Sequence, residues 1–331
     1  MRIKKLATLL LLTVSISGYS QQEAQFSQYM NNNVLVNPAV TGIEENLNLS
    51  VGYRNQWNGL TGATNTFFLS GHQRLGRKEA EPNYSLPVRG ALPQNAQLPQ
   101  EVVESKMSPH GLGVILIHDN QGPSTYTSAK LNYAYFLDLS KFSLSFGVSG
   151  GIKQFGLDGE QLTVLNPNDN SISNSKMSTT TADVAAGVWL SSENLYAGIS
   201  LNQLMQSSIQ FNSMFNNKQH NHYNVTVGYK LGLTDKIALQ PSVLLKYVNP
   251  APVAVDINAL LTFDNKFLGG VSFRNNDAAV VLLGYNTGKY QISYSYDLTV
   301  SDLSNHSNGS HELMLNCAFG NTTSNGGKLL W

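Results

Sequence analysis

Hydrophobic and polar residues alternate one for one along most of this chain. In the run 289–297, Tyr290, Ile292, Tyr294 and Tyr296 share one face, and Gln291, Ser293, Ser295 and Asp297 share the other. The run 253–263 sets Val253, Val255, Ile257, Ala259, Leu261 and Phe263 against Ala254, Asp256, Asn258, Leu260 and Thr262. In 311–319, Leu313, Leu315, Cys317 and Phe319 oppose Glu312, Met314, Asn316 and Ala318. A period of two places alternate side chains on opposite faces of a β-strand. Helical spacing is nearly absent. Marking every such run predicts strands near 47–56, 64–75, 110–119, 124–138, 141–154, 182–191 and 194–201. Further strands fall near 222–231, 236–248, 253–263, 266–274, 277–284, 289–297 and 311–319.

About fourteen strands result, most near the length that a tilted transmembrane strand needs. The apolar faces carry almost no charge, and tyrosines recur near strand ends, as an interfacial girdle requires. The expected fold is therefore all-β, a transmembrane outer-membrane β-barrel of antiparallel strands. Closure removes the sheet edges that lipid does not tolerate. A soluble β-sandwich is the competing architecture. Tight polar turns at 138–141, 191–194, 234–236, 264–266 and 286–289 alternate with longer segments at 156–181, 202–221 and 299–310. Outer-membrane barrels have short periplasmic turns and long external loops, so both termini are expected in the periplasm. The segment 76–108 breaks the pattern, with Pro82, Pro87, Pro93 and Pro99 and no strand period. It reads either as a disordered insertion or as a docking segment for a periplasmic partner.

The start of the chain adds a compartment. Arg2, Lys4 and Lys5 precede an apolar stretch, Leu6 to Ile16, followed by small residues at Gly18 and Ser20. This is the layout of a signal peptide over 1–20. Residues 21–46 then form a leader, in which Asn37-Pro38 makes a rigid bend. The leader either plugs the lumen or pairs across the periplasmic mouth. The barrel occupies 47–319, and a tail runs over 320–331. Charged residues make up 13% of the chain and the net charge is +0, against about 25% charged in average soluble domains. A neutral balance argues against nucleic acid, which needs a basic face. The single cysteine, Cys317, offers no internal disulfide.

Three stretches resemble the PorP/SprF family of outer-membrane proteins, associated with the type IX secretion and gliding machinery of Bacteroidetes. The first is Gln25-Phe26-Ser27-Gln28-Tyr29-Met30, continuing through Asn37-Pro38-Ala39 to Gly42. The second is Tyr53-Arg54-Asn55-Gln56-Trp57. The third runs from Pro241 to Tyr247 through Asp256-Ile257-Asn258, Phe273-Arg274 and Tyr294-Ser295-Tyr296-Asp297 to Gly309-Ser310-His311-Glu312. The resemblance implies a non-enzymatic role in the export or surface retention of a secreted protein with a type IX C-terminal domain. It also implies a link to a periplasmic, peptidoglycan-binding OmpA-like partner. An outer-membrane channel for small solutes is the alternative.

Strand parity then assigns candidate lumen residues. Charge on the lipid face costs about 2–4 kcal/mol for Arg or Lys at mid-depth, so Arg54, Gln56, Lys246, Asp256, Arg274, Asp297 and Glu312 are expected to point inward. Trp57 stands at the end of the first strand, as a girdle residue or part of a client site. The inward charges either brace the barrel as an ion-pair network or grip a client segment. No cofactor or metal site is expected. His311-Glu312 lacks the second histidine of a metalloprotease helix. Asp169 and Asp183, which flank a polar loop, lack the acidic density of a calcium site. No nucleophile motif marks a hydrolase.

Overall fold

The computed structural model describes residues 23–44, 46–78, 106–162, 176–210 and 216–319. The expected signal peptide, most of the proline-rich segment and residues 320–331 lie outside them. Fourteen antiparallel strands close into a barrel. They are β1 (Leu47–Gln56), β2 (Thr64–Arg74), β3 (His110–Gln121), β4 (Ser124–Leu139), β5 (Phe142–Asp158), β6 (Lys176–Ser191) and β7 (Leu195–Asn202). The rest are β8 (His222–Tyr229, resuming over Leu231–Thr234), β9 (Ile237–Val248), β10 (Ala254–Phe263), β11 (Phe267–Arg274), β12 (Ala278–Asn286), β13 (Tyr290–Thr299) and β14 (Ser310–Phe319). Each strand pairs with its sequence neighbour, and β14 returns to β1 with Phe319 opposite Leu47 and Glu312 opposite Arg54. Every predicted strand is present. Among the described residues each of the fourteen strands has a neighbour on both sides, so no terminal strand is left open, which is what makes the closed form stable in lipid.

Burial follows the alternation. Leu131 (71% exposed), Ile199 (62%) and Leu283 (62%) belong to a continuous apolar outer face, with Tyr53, Tyr133, Tyr247 and Tyr290 exposed toward its ends. Inward positions are mostly polar, but not uniformly so. Phe68, Ile115, Ile117, Leu244, Leu260, Leu282 and Met314 also face inward and are buried. They pack on Phe26, Tyr29, Met30 and Val34 of the leader. The lumen thus has an apolar core because part of the chain fills it.

The leader folds into three single-turn 3-10 helices, Tyr29–Asn31, Asn33–Leu35 and Pro38–Val40. Asn37 caps the last, its side chain accepting from the Ala39 N–H at 2.9 Å, with Pro38 at the first helical position. The leader leaves the barrel wall at Gly42, whose φ of 80° belongs to the region glycine enters without strain. It then threads the lumen from the mouth where β1 begins to the mouth where β5 ends. There Glu23 meets Lys153 at 3.4 Å and Gln203 at 3.0 Å. Residue 23 and Phe319 therefore lie at opposite mouths. The even strand count places the start of β1 and the end of β14 at one mouth, and the leader then crosses the barrel; the expectation for the two chain ends themselves falls outside the described residues.

Loop boundaries differ in one place. The expected long segment 156–181 shrinks to 159–175, because β5 and β6 extend as a hairpin of 17 and 16 residues. Polar residues occupy both faces there, so no alternation announces the extension. Asp183 accordingly sits in β6 rather than beside a loop. The segment 203–221 carries a short ladder, Ser208–Gln210 with Asn216–Lys218. Arg77–Lys78 pairs with Lys106–Met107 at the base of the proline-rich segment.

Candidate functional site

Six inward charges predicted from parity meet in one network. Arg54 on β1 contacts Asp297 of β13 at 2.8 Å and Glu312 of β14 at 3.2 Å. Arg274 on β11 reaches Asp256 at 3.4 Å, Asp277 at 2.8 Å and Asp297 at 3.6 Å. Lys246 on β9 contacts Asp256 at 3.0 Å. Register places these groups: Arg54 lies directly opposite Glu312, and Asp256 opposite Arg274. Except for Lys246, at 26%, and Asp277, at 22%, the side chains are essentially inaccessible.

The hub of this network belongs to the leader. Ser27 Oγ donates to Asp297 at 2.6 Å and accepts from Arg54 at 2.7 Å and Arg274 at 3.3 Å. The backbone N–H groups of Ser27 and Gln28 donate to the Glu312 carboxylate at 2.7 and 3.1 Å. Flanking residues lock the same segment. Phe26 stands edge-on to Phe68 at 5.0 Å, and Tyr29 Oη meets the Asn258 amide at 2.5 Å. The amides of Gln56 and Gln25 meet at 3.3 Å. Charge-assisted hydrogen bonds of this kind are stronger than neutral ones and fix geometry. The arrangement braces the barrel and keys the leader into it. Trp57 stays apart, half-buried in the β1–β2 turn, with its backbone N–H donating to Ser310 Oγ at 3.1 Å.

A second network, missed from the sequence, lies across the lumen on β4, β5 and β6. Asp183 contacts Lys130 at 2.8 Å and Lys153 at 3.4 Å, and Lys153 contacts Glu23. Burial alone would raise the Glu23 carboxyl. The attraction of His222, Lys153 and Lys130, with a hydrogen bond from Gln203, instead holds it well below the usual carboxylate range. The signal for these residues was available. Lys130 and Lys153 are lone charges beside Leu131 and Ile152, which face outward, so parity turns both lysines inward.

Two glycines admit the deeper part of the leader. A Cβ at Gly147 would collide with the backbone of Pro38 and Ala39, and one at Gly187 with the Asn37 side chain. Asn37 Nδ2 donates to the carbonyls of Val188 at 3.1 Å and Ile199 at 3.2 Å, bridging β6 and β7. A sizeable cavity remains beside the leader. It measures about 400 Å³ and opens between the leader and β7–β10, at the mouth where Glu23 sits. Among the described residues no group of three or more His, Cys, Asp or Glu side chains is placed to hold a metal ion.

The family described as "Type IX secretion system membrane protein PorP/SprF" matches residues 18–317. Among curated proteins none matches the chain. Solved structures with similar shape include the toluene transporter TbuX of Ralstonia pickettii, at TM-score 0.46 and 9% identity over 86% of this chain and 91% of that one. The CymD monoaromatic hydrocarbon channel gives 0.46 and 12% over 89% and 94%. A FadL homologue of Pseudomonas aeruginosa gives 0.42 and 10% over 86% and 92%. At these scores the likeness carries no argument about what this chain binds.

Proposed function

The chain belongs to the PorP/SprF family of type IX secretion system membrane proteins, and from that premise we propose a client-specific accessory or anchor in the outer membrane. In this reading it is not an enzyme, and it holds the C-terminal domain of a secreted surface protein for export or cell-surface retention. The observation that carries it is the occupied lumen. Five of the six network charges are buried and four of them, Arg54, Arg274, Asp297 and Glu312, bond to Ser27 or Gln28 of the leader, so they are committed to holding the barrel and its plug together. A client then docks at a mouth rather than inside. An open channel for solutes is disfavoured by the same observation.

The extended β4–β6 wall offers the docking edge. β6 pairs with β7 only from Ala186 onward. Among the described residues the backbone of Lys176–Thr180 has no strand partner on that side, although the β5 side is fully paired. An extended client segment adds to such an edge through main-chain hydrogen bonds. The opposite mouth bears the ladder Arg77–Lys78 with Lys106–Met107, and we assign the segment it carries to the periplasmic OmpA-like partner.

Affinity purification of the tagged protein in mild detergent, with mass spectrometry of what it retains, tests both assignments. The expected result is one surface protein with a type IX C-terminal domain, lost when Thr179→Pro breaks the edge. Deleting 79–105 is expected to lose the periplasmic partner alone. Recovery of the barrel by itself, or loss of all type IX cargo when the protein is absent, would overturn the client-specific reading.

A further inference from the structure

The cavity at the Glu23 mouth is graded in polarity, and the strand register sets the grading. Running inward from the mouth, β8 and β9 pair His222 with Val248, Asn224 with Lys246, and Thr226 with Leu244. The outer rungs supply a polar collar of His222, Asn224 and Lys246. The inner rung supplies Leu244, which with Tyr29, Leu35 and Val36 makes an apolar floor. A volume of about 400 Å³ falls within the roughly 300–1,000 Å³ of small-molecule sites, which characteristically combine apolar walls with a few placed polar groups.

The collar is built to donate. Lys246 is the member of the inner network that reaches the cavity, its side chain 26% exposed, while its counterion Asp256 lies behind it at 1%. His222 is nine-tenths buried, lines the cavity, and its ring makes no hydrogen bond among the described residues. Lys130 also lines the cavity, with its counterion Asp183 wholly buried in the wall. The one acid in the lining, Glu23, is held by Lys153 and Gln203 and is also attracted by His222 and Lys130, which leaves Lys246 as the cationic group of the collar that Glu23 does not engage. A cation would meet two ammonium groups here, and a neutral ligand would forgo the charge-assisted bond that they offer.

We propose that this cavity binds a small amphipathic monocarboxylate, its apolar body on Leu244, Leu35 and Val36 and its head between Lys246 and His222. The site is independent of the secretion reading, because it uses the leader and the β8–β9 wall and not the β6 edge. The carboxylate comes either from a free acid or from the C-terminus of a short peptide.

Calorimetric titration of the full chain in nanodiscs, with empty nanodiscs subtracted, tests the proposal using octanoate, octan-1-ol and N-acetyl-Leu-Leu. Octanoate or the dipeptide is expected to bind in preference to the alcohol, and which of the two binds tells free acid from chain end. Lys246→Met is expected to weaken the carboxylate by about tenfold or more and to leave the alcohol unchanged, the size of one lost charge-assisted hydrogen bond. Asp256 keeps Arg274 in that variant, and heat-modifiable gel mobility checks that the barrel still folds. Ala251→Trp, which fills the cavity from its loop side, is expected to abolish binding. Equal binding of alcohol and acid, binding that survives Ala251→Trp, or no binding of either carboxylate would overturn the proposal.

Discussion

Arg54 shows how one side chain joins sequence to architecture. It is 1% exposed and touches two carboxylates and the Ser27 hydroxyl. Removing one partner of a buried pair leaves the other charge uncompensated, at a cost of about 3–5 kcal/mol, whereas removing both partners is often nearly neutral. Arg54→Met is therefore expected to lower the urea midpoint strongly. Adding Glu312→Gln, which removes the unpaired charge and keeps an acceptor for the leader N–H groups, is expected to recover part of the loss, with both read by gel mobility of the folded barrel. Glu23 gives a pH signature. Its folded value lies below the ordinary 4.5, so its stabilisation is complete above that pH and fades as pH falls below it. The stability gap between wild type and Glu23→Gln is expected to be constant above about pH 5.5 and to close on acidification. Arg54, Asp297 and Glu312 were legible because a charge on a barrel strand has only one inexpensive face. Ser27 was not legible as their hub, since a serine in a segment without periodicity announces no partner.

At the scale of elements, the strands could be read from the sequence and the leader could not. Strands such as β13 and β14 alternate cleanly between lipid and lumen, and their predicted limits fall within two residues of the observed ones. The leader is built of 3-10 turns held by specific hydrogen bonds, so neither period two nor period 3.6 marks its path. Its motif residues acquire reasons only in three dimensions: Phe26 meets Phe68, Gln28 meets Glu312, and Asn37 bridges β6 and β7. The glycines are half of the fit. Gly147→Val is expected to displace the 37–41 stretch, since its side chain would occupy the space of Pro38 and Ala39, and overpacking of this kind costs about 1–3 kcal/mol or more. A cysteine placed at Val40, which is buried, is expected to be unreactive toward a soluble maleimide in the parent barrel and labelled in the Gly147→Val variant. Equal protection in both would show that the leader is held without the Gly147 gap.

For the whole molecule, the question is whether fourteen strands and a plug make a passage or a platform. A barrel of this size without its leader would present Arg54, Arg274 and Lys246 against Asp256, Asp297 and Glu312 to a water-filled lumen. With the leader in place, Ser27 and Gln28 close that belt, while Phe26, Tyr29, Met30 and Val34 fill the middle with packed apolar side chains. Ions do not cross a packed apolar layer cheaply, because the loss of hydration is uncompensated there. The full chain is thus expected to give no stable conductance in planar bilayers. A variant lacking residues 23–43 is expected to conduct, provided that its gel mobility shows a folded barrel. The belt beneath the leader sets three cationic side chains against four acidic ones, Asp277 included, so that opened pore should favour small cations over anions only weakly. Steady conductance from the intact chain would mean that the leader leaves the lumen under working conditions, and the platform reading would then give way to a gated channel.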